Sequence, residues 1–169
     1  APTSGATITV DNTAPTASLA YTISSSAVSN VKQNDVVTLT ATFTEDIADS
    51  PVMQISGSGV ETISATDMTK ASATSYTYSW TAPAGDGTQT FALATGTDAA
   101  GNAITAAPTS GATITVDNTA PTAALAYTVG SSAVTTVKQG NTVTITATFN
   151  ENIADSPVMQ ISGSGVETI

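Results

Sequence analysis

The chain has 169 residues, a formal net charge of -10, three lysines, no histidine and no cysteine. That balance excludes disulfides and thiolate metal sites, withholds the phosphate-neutralising groups on which nucleic-acid affinity depends, and repels anionic membranes, leaving divalent cations as natural partners. Hydrophobic residues make up 40% of the chain and aromatics only 5%, so the core is thin, and the abundant β-branched Thr favours strands with solvated faces over long helices.

The chain opens on APTSGATITVDNTAPT, and the same words return at Ala107. From there residues 107–169 replay residues 1–63 with eleven substitutions. A period of 106 residues is a whole domain and not a small solenoid repeat. The expected division is 1–13 as the last strand of a preceding repeat, 14–118 as a complete repeat, and 119–169 as the first half of the next. Ends that fall inside domains suggest a window onto a longer protein, or a subunit completed by strands from its neighbours. No stretch reaches the roughly 18 apolar residues of a membrane span, and direct membrane insertion is not expected.

Along the repeat, ATITVD reads as a closing strand and NTAPT as the joint, where proline pre-sets the backbone. A first strand is predicted near Leu19, Tyr21 and Ile23. The second covers residues 35–43, where Val37, Leu39, Ala41 and Phe43 alternate with Thr38, Thr40 and Thr42, so the first set faces inward. The two copies test this: Val36 becomes Thr142, tolerable only outside, whereas Leu39 becomes Ile145, a swap suited to a core. A third strand lies near Met53 and Ile55, and a fourth somewhere within residues 60–70. The fifth carries Tyr76, Tyr78 and Trp80 on one face, the sixth Phe91 and Leu93, and the seventh ends with Ile114 and Val116. Turn signals separate them at residues 56–59, 83–87 and 100–102. About seven strands in about 100 residues predict an all-β fold of tandem immunoglobulin-like Greek-key β-sandwiches, with Trp80 plugging the core.

The string TVDNTAPT, then VTLTATFTEDI with SPVMQIS, then YTYSWTAPAGDGTQTF and TDAAGN resembles the bacterial immunoglobulin-like (Big/Bap-type) tandem repeats of giant secreted adhesins and biofilm-associated surface proteins. The resemblance covers the whole repeat. It implies an extracellular, often calcium-dependent string of β-sandwiches that holds a terminal binding domain away from the cell.

In the usual sandwich order, the second-to-third loop, the sixth-to-seventh loop and the incoming linker share one pole. Asp11, Glu45, Asp46, Asp49, Asp98 and Asn102 then converge at the joint between repeats, with Asp117 and Glu151 as the recurring counterparts of Asp11 and Glu45. Carboxylate and amide oxygens on loops are ligands that Ca²⁺ prefers. The expectation is a calcium ion at each joint that stiffens the array. Asp46 becomes Asn152 in the second copy, which makes it the weaker candidate. The competing readings are that acidity only keeps the surface soluble and that Asp98 and Asn102 only build a tight turn. Asp86 reads as a turn-former or as a partner of the next linker. Glu61 and Asp67 read as solvated face residues.

Without His or Cys the common activated nucleophiles are missing, no phosphate loop is present, and enzymatic activity is not expected. The function predicted is that of an extender whose partners are neighbouring repeats of the same chain. The alternative is a subunit of an extracellular filament, sheath or surface layer, in which other copies of the protein pack laterally or exchange strands. A glycan- or ice-binding face of Thr residues is a further rival, although any solvated sheet shows such Thr.

Overall fold

The computed structural model describes residues 5, 7–154 and 157–163. Among them every regular element is a strand, and no helix is long and apolar enough to cross a membrane. The chain divides into two compact units, Ala1–Asn118 and Thr119–Ile169.

The first unit is a β-sandwich. Its strands are β1 (Ala17–Ile23), β2 (Ser26–Ala27), β3 (Asn30–Val31), β4 (Val36–Phe43), β5 (Gln54–Ser58), β6 (Ile63–Asp67), β7 (Thr69–Ser72), β8 (Ser75–Thr81), β9 (Gly87–Thr95) and β10 (Thr113–Val116). One sheet has the order β2-β1-β4-β8-β7 and the other β3-β10-β9-β5-β6. All pairings are antiparallel except β3 with β10.

Period-two alternation sets the layers. On β4, Val37, Leu39, Ala41 and Phe43 are buried and Val36 is exposed. Across the gap β9 contributes Phe91 and Leu93, β5 contributes Ile55, and β10 contributes Ile114 and Val116, all buried. Trp80 and Phe91 meet edge-to-face at 5.4 Å, and Tyr21 leans on Phe91 at 6.0 Å, so a few aromatics pack into a core otherwise made of aliphatic side chains and methionine.

Two features depart from a simple strand count. Residues 60–70 hold not one strand but the end of one sheet and the start of the other: β6 and β7 flank Met68, which is buried and donates its N–H to Met53 O at 2.9 Å. Glu61 is a half-buried acceptor rather than a solvated face residue. Its Oε1 accepts from Trp80 Nε1 at 2.8 Å, and its N–H donates to Oε1 of the fully buried Gln89 at 3.0 Å. Asp67 is exposed and accepts from Gln54.

The second unit contains β11 (Ala123–Val129), β12 (Ser132–Ala133) and β13 (Thr144–Phe149) in one sheet of order β12-β11-β13. Its pairing repeats that of β1 with β4 residue for residue: Leu125 faces Ala147 as Leu19 faces Ala41, and Tyr127 faces Ile145 as Tyr21 faces Leu39. Leu39 is 0% exposed whereas Ile145 is 45% exposed.

Two of the eleven substituted positions in the copies follow backbone geometry. Asn34 and Ser24 hold φ of 71° and 48°, and their counterparts are Gly140 and Gly130, at 86° and 57°. Asn and Gly are the residues that occupy the left-handed region at least cost.

Candidate metal centre

Three segments build one pole of the first unit. The incoming linker is anchored by Pro15, which is buried and whose carbonyl accepts from Thr105 N at 2.9 Å. Ahead of it, Asp11 Oδ1 accepts from Thr13 N at 2.9 Å, a local Asx turn that fixes the carboxylate. The loop after β4 is tied to the linker by Thr44 N to Thr16 O at 2.9 Å and Thr16 N to Thr44 Oγ1 at 3.1 Å. It is pinned to the core by buried Ile47, which bridges to Asp98.

The loop after β9 closes as a tight turn, with Asp98 N donating to Asn102 O at 3.1 Å. Asp98 is buried, and its two carboxylate oxygens accept from Asn102 N and Asn102 Nδ2, each at 2.8 Å. Asn102 Nδ2 also donates to Asp11 O at 3.1 Å, so the turn grips the linker.

The result is that Asp11, Glu45 and Asp98 offer carboxylate oxygens within 4.8 Å of one another. Their electrostatics are uneven. Burial, then the negative charges of Asp11 and Asp98, hold the Glu45 carboxyl above its ordinary range. Asp98 is held below its ordinary range, chiefly by the Asn102 side chain and then by backbone N–H groups of its own turn, against the opposing effect of burial. One member therefore stays ionised to low pH while another resists ionisation.

The other sequence candidates lie elsewhere. Asp46 is exposed and outside the trio. Asp49 lies in the same loop, but its carboxylate pairs with Lys70 Nζ. Asn102 sits at the centre as a hydrogen-bond donor that braces Asp11 and Asp98. Asp117 is exposed at the end of β10, where its N–H donates to Val31 O at 2.8 Å. Glu151 belongs to the second unit and is half-buried. The Asp98–Asn102 pair does build the expected tight turn, and Asp98 is also one of the three clustered carboxylates.

A second set of linker bonds, of which the sequence suggested only the approach of Asp86 to the next linker, centres on Asn118. Asn118 N donates to Asp86 Oδ1 at 2.5 Å, Asn118 Nδ2 to Gly85 O at 2.6 Å, and Gln33 N to Asn118 Oδ1 at 2.5 Å. Asp86 thus reaches the outgoing linker as well as shaping its turn. The available signal was the Asp-Asn pair recurring at residues 11–12 and 117–118, but nothing local says which turn an asparagine will meet.

No protein-family model, curated protein or solved structure matches this chain in the comparisons made.

Proposed function

We propose that the chain is an extender segment of a secreted surface protein, made of tandem immunoglobulin-like sandwiches and stiffened by Ca²⁺ at the acidic pole where the linker enters each one. The sheet orders β2-β1-β4-β8-β7 and β3-β10-β9-β5-β6 support the immunoglobulin-like Greek-key reading, since the chain crosses between sheets after β4 and again at Met68. The likeness of its motifs to Big/Bap-type adhesin repeats supports the extracellular setting and a mechanical role without catalysis.

The observation that carries the cation reading is the meeting of a linker carboxylate, Asp11, with Glu45 and Asp98 from two separate loops, all within 4.8 Å. These three groups would hold the ion, with Asn102 bracing two of them. Water would complete the six to eight oxygens that calcium takes. Binding offsets the burial and then the repulsion that raise the Glu45 pKa, and joins the linker to the loops.

The test is thermal unfolding followed by the fluorescence of Trp80, the single tryptophan, in calcium and in chelator. Calcium at a hundredfold over Kd adds about 2.7 kcal/mol, an upward shift of roughly 10 °C for a domain of this size. Asp98→Asn is expected to abolish the shift. Equal melting in calcium and chelator contradicts the reading.

A further inference from the structure

The exit end of the first unit is built around one asparagine. Val116 is buried at the end of β10, and Asp117 N donates to Val31 O at 2.8 Å, which brings the chain out beside β3. Asn118 follows and is the last residue of the compact unit. Its backbone N–H donates to Asp86 Oδ1 at 2.5 Å, its Nδ2 donates to Gly85 O at 2.6 Å, and its Oδ1 accepts from Gln33 N at 2.5 Å.

The two turns that receive it have bonds of their own. The turn at residues 32–35 closes with Asp35 N to Lys32 O and Lys32 N to Asp35 Oδ2, each at 3.0 Å. It is tied to the end of β8 by Asn34 N to Ala82 O at 3.0 Å and Ala82 N to Asp35 O at 2.9 Å. The turn at residues 83–87 leads from β8 into β9 through Gly85 and Gly87, at φ 101° and 142°. A carbonyl from one turn and an N–H from the other therefore converge where the chain leaves. Together they need a side chain that donates and accepts at once, which an amide does and an ionised carboxylate does not.

The Asp-Asn pair also stands at residues 11–12, and there the aspartate is the residue held. Asp11 O accepts from Asn102 Nδ2 at 3.1 Å, and its carboxylate lies with those of Glu45 and Asp98 on the sandwich that the chain is entering. The surrounding words are the same, residues 1–16 matching residues 107–122 letter for letter. The two poles of one sandwich thus take hold of different members of the same pair: the aspartate where the chain enters, the asparagine where it leaves.

We propose that Asn118 is a metal-independent latch that fixes the direction in which the chain leaves the sandwich, so that each joint of the array holds one Asp-Asn pair by two grips. Consecutive Cα atoms are about 3.8 Å apart, and no slack residue separates the grips. The aspartate's half rests on the calcium reading, and the asparagine's half does not. Chelation loosens the linker at the sandwich it enters and leaves it latched to the sandwich it left.

Amide hydrogen exchange and NMR relaxation of the full chain in chelator test the latch, so that its failure and that of calcium binding are separate results. The N–H groups of Gln33 and Asn118 are expected to exchange more slowly than in an unstructured chain, and residues 117–118 to be as ordered as β10, with or without calcium. Asn118→Ala removes the acceptor of Gln33 N, and exchange at Gln33 should rise about three- to tenfold, the worth of one hydrogen bond. Asp86→Ala should do the same at Asn118 N, whereas Asp86→Asn, which keeps an acceptor oxygen, should retain the protection. Both substituted residues are exposed, and a cooperative Trp80 melting transition shows that the sandwich of each variant is intact. Unprotected Gln33 and Asn118 in the parent chain, protection that appears only on adding calcium, or alanine variants that exchange like the parent each overturns the proposal.

Discussion

The two copies of the repeat carry nearly the same words and meet different fates. Residues 113–116 form a strand with Ile114 at 2% exposure, whereas residues 7–10, the same four letters, form none, and Ile8 is 92% exposed. Likewise β11 and β13 pair in the register of β1 and β4, yet Tyr127 is exposed where Tyr21 is buried. Pairing between strands close in sequence forms in both units because the alternation and short connections specify it. Burial and the closing strand need the opposite sheet, which the first unit has in β5, β9 and β10. Local pattern therefore writes the hairpin, and long-range partners decide whether it becomes a core.

The sharpest way to break this comparison is to cut the same side chain in both units. Leu39→Ala empties a fully buried site and is expected to cost about 2–5 kcal/mol in urea unfolding read by Trp80. Ile145→Ala, at the equivalent half-open site, is expected to leave that Trp80 transition unchanged. Equal losses would contradict the comparison.

Next in size is the pair of glycines. Gly111→Ala places a methyl against the Leu19 carbonyl at a φ that L-residues rarely adopt, and a loss of at least about 2 kcal/mol is expected. Gly5→Ala shares the φ but meets no neighbour, and the Trp80 transition should move by less than about 0.5 kcal/mol. Smaller again is a bond that only a two-sheet unit makes: Glu61→Leu strips the acceptor from the Trp80 indole and should cost about 1–3 kcal/mol in the same assay.

Much of this was legible beforehand, and the misses share a cause. Strands β1, β4, β8 and β9 announce themselves through period two, and Val36 and Leu39 declare their faces by the way the copies change them. The switch of sheets at Met68 left no mark, because β6 and β7 are exposed almost throughout and carry no period-two pattern that a break could interrupt. Glu61 looked like a solvated acid because its partner, Trp80, lies across the sandwich. The acidic pole was legible in part: Asp11, Glu45 and Asp98 converge, but Asp49 was lost to Lys70 on β7, a pairing between a loop and a distant strand that spacing cannot foretell.

The smallest effect expected is one of pH. The Glu45 pKa is raised in the folded unit, so between its ordinary value and its raised one the folded state binds the extra proton. Without calcium, Glu45 therefore lowers stability as pH rises through that window, and the penalty persists above it. Asp98 acts oppositely, since its lowered pKa gives stability that is present above its ordinary range and lost only as pH falls through the depressed value. Glu45→Gln should raise the melting temperature of calcium-free protein at neutral pH and flatten its decline above the ordinary carboxylate range. A variant that melts lower at neutral pH would show that the Glu45 charge is not strained.

Calorimetric titration of calcium into chelator-treated protein tests the central claim most directly. The expected result is one site per chain at the pole formed by Asp11, Glu45 and Asp98, lost in both Glu45→Gln and Asp98→Asn and weakened as pH falls into the range where Glu45 takes up a proton. No binding heat, or binding that both variants retain, contradicts it.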